Sequence, residues 1–138
     1  MTWSGGYPTD RRYPDTLQPA MAPAAMDAAL LVAGFAPPRD GPRFRYLELG
    51  CGTATTLAAL AALHPEAEFE GHDFLPEHVA RARAFAAEAG LDNLRVEETS
   101  FAELAAAPPG PPVDYAALHG VWTWVAPAER KHLVAVLG

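Results

Sequence analysis

The chain has 138 residues, half of them hydrophobic, with 17 acidic residues, 10 basic residues and a formal net charge of -7. That length suffices for one domain with a true core, and the acidic balance is a poor match to nucleic-acid phosphates or an anionic membrane surface. A single cysteine, Cys51, rules out an internal disulfide, no run approaches the ~20 apolar residues of a membrane span, and the charged first twenty residues are unlike a secretory leader, so the cytoplasm is the expected location.

Residues 1–20 are rich in Pro, Tyr, Thr and charge and read as an irregular N-terminal arm, with Trp3, Tyr7 and Tyr13 available to pack on a body formed by residues 21–138. An Ala- and Leu-rich helix is expected from Pro23 to Val32, with Gly34 as its stop. A Pro- and Gly-rich loop over residues 37–42 follows. Strands are then expected at Phe44–Leu49, Ala67–Asp73, Asn93–Glu97 and Val113–His119. Helices are expected at Thr53–Leu63, Pro76–Ala89, Phe101–Ala107 and Ala126–Leu137. Leu57, Leu60 and Leu63 mark the apolar face of the first of these four helices, and Val79, Ala82, Ala86 and Ala89 that of the second. Strands alternating with helices mean βαβ units: an α/β fold with a mainly parallel, Rossmann-like sheet and flanking helices.

In such a sheet the working edge lies beyond the carboxyl ends of the strands. Glu48 to Gly52, Asp73-Phe74, Glu98 to Phe101 and His119 to Trp122 converge there. Gly50 and Gly52 allow a sharp turn and let a ligand lie against the main chain, and the helix that follows points its free N–H groups at the same place. Asp73 stands 21 residues after Gly52, at the end of the next strand, the placement that binds ribose hydroxyls. Two nucleotide-like ligands compete. A dinucleotide presents a pyrophosphate to a GxGxxG loop, but Thr55 stands where its third glycine belongs, and Glu48 puts an acid just before the loop. A ligand with a cationic amino group and a sulfonium is attracted by that acid, and S-adenosylmethionine is such a ligand.

The segment E-L-G-C-G-T-A, residues 48–54, resembles the first motif of class I S-adenosylmethionine-dependent methyltransferases, [DE]-x-G-x-G-x-G, with Ala54 in place of the last glycine. G-H-D-F-L-P at 71–76 resembles the second acidic motif, E-E-T-S-F at 97–101 the segment that meets the adenine edge, and Y-A-A-L-H-G-V-W-T-W-V at 115–125 the fourth motif of a subgroup that carries a downstream regulatory domain. The arm with Tyr7-Pro8 and Tyr13-Pro14 is similar to that subgroup too, some of whose relatives methylate protein lysines. The resemblance implies a cofactor site built from Glu48, Gly50, Cys51, Gly52, Asp73 on the ribose, Phe74 along the adenine, Ser100 and Phe101 at the adenine edge, and His119. Its implied activity is methyl transfer from S-adenosylmethionine to a protein side chain or a small molecule.

The family's fold has seven strands, and only four are found here. The chain is therefore expected to be the N-terminal portion of a methyltransferase domain, with strand four on an exposed sheet edge that offers copies a homo-oligomer contact. A non-catalytic cofactor-binding fragment is the alternative, and an NAD-dependent oxidoreductase a further one. None of the five histidines has a metal-binding spacing, so no metal is expected. Glu70 and His72 share one face of strand two and are expected to pair or to mark a partly open face. Trp122 and Trp124 read equally as a pocket wall or a loop anchor, Cys51 as a small residue filling a tight turn, and Arg81 and Arg83 as solvated.

Overall fold

In the computed structural model, which describes Thr9 and residues 15–138, the segment Arg45–Leu49 forms the central strand β1. Its side chains alternate between two faces, so Tyr46 joins one apolar cluster while Leu47 and Leu49 join the other. A short 3-10 turn (Pro19–Met21) and helix α1 (Pro23–Val32) precede it. After it come α2 (Thr55–Leu63), β2 (Glu68–Asp73), α3 (Pro76–Glu88), β3 (Leu94–Glu98), α4 (Phe101–Ala106), β4 (Tyr115–Ala117) and α5 (Pro127–Leu137). The expected packing of Trp3, Tyr7 and Tyr13 lies outside the described residues.

All the strands run parallel, in the order β3-β2-β1-β4. The chain steps outward from β1 to β3, then crosses back to the other side of β1. That reversal opens a crevice beyond the carboxyl ends of β1 and β4, the usual ligand position in an open α/β sheet. On one face, Leu57 and Ala61 of α2 and Val79 and Ala82 of α3 pack on Tyr46, Phe69 and Val96. On the other, Phe101 of α4 and Leu133 of α5 pack with Leu49, Val121 and Val125. Leu57 and Leu133 are both 0% exposed, and complete burial of such a side chain is worth about 1.5–3 kcal/mol. The sheet is the Rossmann-like α/β arrangement expected from the alternation of elements.

Several boundaries differ from the sequence pattern for local reasons. Helix α2 starts at Thr55, not Thr53, because the residues before it are consumed in a turn. Strand β4 has three residues, not seven, since only Tyr46, Leu47 and Glu48 of β1 pair with it. Gly120 then turns the chain with φ at +64°, so His119 lies two residues past the strand end. Leu63 of α2 and Ala89 after α3 are exposed, and the buried stripes end at Ala61 and Ala86.

Polar groups hold the edges of the layers. Tyr46 Oη donates to the Met21 carbonyl at 2.7 Å, and Tyr115 Oη donates to Asp27 Oδ1 at 2.5 Å, so two strands grip the segment around α1. Arg39 completes that lock by donating to Tyr115 Oη at 2.9 Å and pairing with Asp27 at 3.2 Å. Arg83 is not merely solvated: it donates to the Val96 carbonyl at 2.7 Å and pairs with Glu97 at 3.0 Å, clasping edge strand β3. Arg81 pairs with Asp15 at 3.5 Å. Glu70 and His72 do pair, at 2.8 Å, and Arg95 joins Glu70 at 3.1 Å.

Asn93 closes the carboxyl end of α2. Its side-chain amide donates to the carbonyls of Ala61, His64 and Ala67 at 3.0–3.1 Å. Asn93→Ala leaves those carbonyls without this donor and is expected to lower unfolding free energy by about 1–3 kcal/mol in urea denaturation. A loss below a few tenths would mean that water replaces the amide fully.

Candidate functional site

The turn from β1 into α2 is built from alternate residues of left-handed backbone: Gly50 (φ +70°), Gly52 (φ +56°) and Ala54 (φ +58°). Ala54 thus adopts, as the N-cap of α2, a left-handed conformation that favours glycine, the residue type the resembled motif has at this position. Gly50 is forced by space as well as by φ, for a Cβ there would meet Val121 Cγ2 at 2.6 Å. The amides of Gly50 and Cys51 both donate to the His72 carbonyl, at 2.8 and 3.0 Å, which pins the loop to β2. Gly71 lets α2 sit close to β2, since a Cβ there would meet Leu57 at 2.7 Å and Cys51 Sγ at 2.9 Å.

Asp73, at the end of β2, accepts the Gly52 amide on Oδ2 and the Leu75 amide on Oδ1, each at 2.9 Å. It thereby ties the glycine loop to the start of α3. A cleft of about 270 Å³ opens at this junction. Glu48, Gly50, Cys51, Gly52, Asp73 and His119, all singled out from sequence, line it. Phe74, half-buried beside Asp73, does not line this cleft. Neither do Ser100 and Phe101. Ser100 is engaged in a capping box with Glu103 at the start of α4, and Phe101 is buried in the cluster around Leu133. Helix formation uses the serine hydroxyl, and core packing uses the phenylalanine ring.

The sequence reading missed part of the lining. Thr16 and Gln18 reach the cleft from a strap ahead of α1. The strap is fastened by Thr53 Oγ1 donating to Asp15 Oδ1 at 2.7 Å and by the Gln18 amide donating to Thr56 Oγ1 at 3.1 Å. No periodicity marks such a segment. His78 also lines the cleft, with Nδ1 3.5 Å from Asp73 Oδ1. The signal available was Pro76 at the first helical position, which places His78 in the first turn beyond β2. Trp124 lines the cleft, whereas the Trp122 ring lies under the Arg130 guanidinium at 5.6 Å and the Trp122 carbonyl accepts its Nε–H at 2.9 Å.

The charge is unusual. Glu48 is buried and its Oε2 has no hydrogen-bond partner among the described residues. Burial, and secondarily the Asp73 carboxylate, push its pKa up to about 8. Burial, with both carboxylates adding, also pushes the Cys51 thiol well above its ordinary value, so it is a neutral, inert filler of the turn. No Lys or Arg is among the described residues lining the cleft. No group of three or more potential metal ligands occurs among the described residues. No helix among them is long and apolar enough to cross a membrane.

Parallel strands, a glycine turn and an acid at the end of β2 define a nucleotide-cofactor fold of the Rossmann type. Residues 47–137 match the model of the methyltransferase domain family, and the chain belongs to that family. It is 31% identical over 134 residues to an uncharacterized Synechocystis protein, sll1526, covering 97% of this chain and 26% of that one. Its fold matches that of PKMT2 from Rickettsia typhi in complex with AdoHcy, with a TM-score of 0.84 at 21% identity over 91% of this chain and 24% of that one. YjhP from E. coli matches with a TM-score of 0.59 at 22% identity, over 92% of this chain and 47% of that one. The chain thus spans about a quarter of the length of the Synechocystis and Rickettsia proteins.

Two outcomes follow from this geometry. Gly50→Ala is expected to cost about 2–4 kcal/mol of stability, combining a left-handed alanine with overpacking against Val121. Gly52→Ala, with nothing within 4 Å of the new Cβ, should cost only about 1 kcal/mol. Equal losses in urea denaturation would remove the role of the Val121 approach. Glu48 binds a proton in the folded chain between its ordinary 4.5 and about 8, where the unfolded chain has released it. Stability therefore falls as pH rises through that window. Glu48→Gln should be more stable than the parent by about 2–4 kcal/mol at pH 9, with the gain shrinking towards pH 4.5. A gain independent of pH would contradict this assignment.

Proposed function

We propose that this chain is the cofactor-binding portion of an S-adenosylmethionine-dependent methyltransferase. The observation that carries the reading is the buried carboxylate of Glu48, with an oxygen lacking a partner, in a cleft that no Lys or Arg among the described residues lines. Such a cavity suits a ligand with fixed positive charge and is poorly matched to a pyrophosphate. The bound AdoHcy of the structurally similar Rickettsia PKMT2 supports the same ligand class.

Glu48 would face the cationic end of the cofactor, and Asp73 would accept from its ribose hydroxyls. Gly50, Cys51 and Gly52 would leave room for it against the main chain. His119, exposed at the cleft, would face the acceptor side. The cofactor, when bound, supplies an electrophilic methyl carbon for in-line displacement. The chain's own contribution is proximity, orientation and exclusion of water. The acceptor is a protein side chain or a small molecule, and Trp124 offers an apolar wall beside it. The net charge of -7 argues against a nucleic-acid partner, and a lone thiol suits the cytoplasm. A non-catalytic cofactor-binding module is the second reading.

Calorimetric titration of the 138-residue chain with S-adenosylhomocysteine tests the cofactor. A dissociation constant on the order of micromolar is expected, weakened at least ~100-fold by Asp73→Ala, with no heat from NAD. Binding of NAD but not S-adenosylhomocysteine would reverse the reading. Binding without methylation of any acceptor offered, in a chain that holds the cofactor normally, would favour the second one.

A further inference from the structure

A carboxylate oxygen has two lone-pair positions, so Asp73 has four. Backbone amides take one on each oxygen, Gly52 on Oδ2 and Leu75 on Oδ1. A vicinal diol gripped by both oxygens needs the one that remains on each. On Oδ1 that remaining position has a competitor within the protein, because His78 Nδ1 lies 3.5 Å away. The ring is half-buried, stands in the first turn of α3 and lines the same cleft.

We propose that His78 is a positioning residue that gates the diol site: its protonated ring donates to Asp73 Oδ1 and takes the place of a ligand hydroxyl, while its neutral ring yields that place. The proposal rests on the reading of Asp73 as the ribose carboxylate. A neutral imidazole carries one N–H and can keep it on Nε2, leaving Nδ1 without a proton, whereas the charged ring donates from both nitrogens.

The surroundings favour the charged ring in the empty cleft. The contact with Asp73 is the largest influence and holds the His78 pKa above its ordinary 6.5, with Glu77 on α3 adding to it. Burial and Arg81 act the other way, without reversing the direction. Arg81 is itself engaged by Asp15 of the strap at 3.5 Å. Among the described residues lining the cleft, Glu48 on β1 and His119 beyond β4 are the other titratable groups beside Asp73, apart from Cys51 in the loop. Ligand binding through the diol then expels the His78 proton. Affinity rises with pH until the ring is neutral even in the empty cleft.

The two neutral replacements separate this role from simple packing. His78→Leu has no donor and leaves Asp73 Oδ1 open at every pH. His78→Gln keeps a permanent donor and blocks it at every pH. Titrated with S-adenosylhomocysteine, the parent chain is expected to bind about tenfold more tightly at pH 8.5 than at pH 6, with proton release seen as a buffer-dependent heat. At pH 6, His78→Leu should bind about tenfold more tightly than the parent, and His78→Gln should remain about tenfold weaker than His78→Leu at both pH values, since any rise linked to Glu48 is common to all three chains. Melting temperatures of the unliganded variants provide the control for folding. If His78→Leu keeps the parent's pH dependence, the proton belongs to another group, with Glu48 the first to examine, and the proposal fails. If both variants weaken at all pH values, His78 is structural only. If the folded parent chain does not bind S-adenosylhomocysteine at any pH, the cofactor reading itself fails, and this proposal with it.

Discussion

The tie between Asp73 and the glycine turn organises the molecule. One carboxylate accepts the Gly52 amide on one oxygen and the Leu75 amide on the other, so the start of α2, the end of β2 and the entry to α3 meet at a single side chain. The turn can reach that point because residues 50, 52 and 54 take left-handed backbone in alternation. It can lie flat because nothing larger than hydrogen fits between Gly50 and Val121. The segment after β4 is thereby held against the loop after β1, and the cleft takes its walls from both sides of the chain reversal. Removing any one of these contacts would move several parts of the site together, which is why the loop reads as a unit rather than as separate ligands.

Electrostatics then determine what the cleft can accept. Two carboxylates approach one another in a partly enclosed space, and the described lining provides no arginine or lysine to balance them. The chain meets this cost by keeping Glu48 protonated to about pH 8. A cationic ligand offers the alternative compensation, replacing a proton with a fixed charge. The energy of the empty site is therefore already biased towards a positively charged guest. His78 brings titratable charge into the same space, so its balance depends on pH in a way that a lysine or arginine would not allow.

Much of this organisation was legible as pattern. The alternation of apolar strands with capped helices pointed to parallel βαβ units, and the spacing from Gly52 to Asp73 placed the acid at the neighbouring strand end. Proline at the start of α3 and glycine after it marked both ends of that helix. Short-range pattern failed where a side chain had two competent uses. Ser100 suits a ligand contact and an N-cap equally well, and Glu103 three residues later decided for the cap. Phe101 suits an adenine face and a hydrophobic core, and the arrival of α5 with Leu133 decided for the core. The strap at Thr16 and Gln18 has no repeat or cap to announce it, and its position depends on hydroxyls 38 residues away.

By itself, the sequence determined the fold class, the glycine turn, the acid before it and the acid after the second strand. Those features are local: they follow from backbone sterics, side-chain periodicity and the length of one βαβ unit. Only the tertiary structure decided that Glu48 keeps a buried oxygen with no partner among the described residues, that His78 stands beside Asp73, and that Ser100 caps α4 while Phe101 joins the core. Each of these depends on which distant groups arrive at the same point, and solvent exclusion there changes the protonation and hydrogen bonding of residues whose identity alone does not specify either.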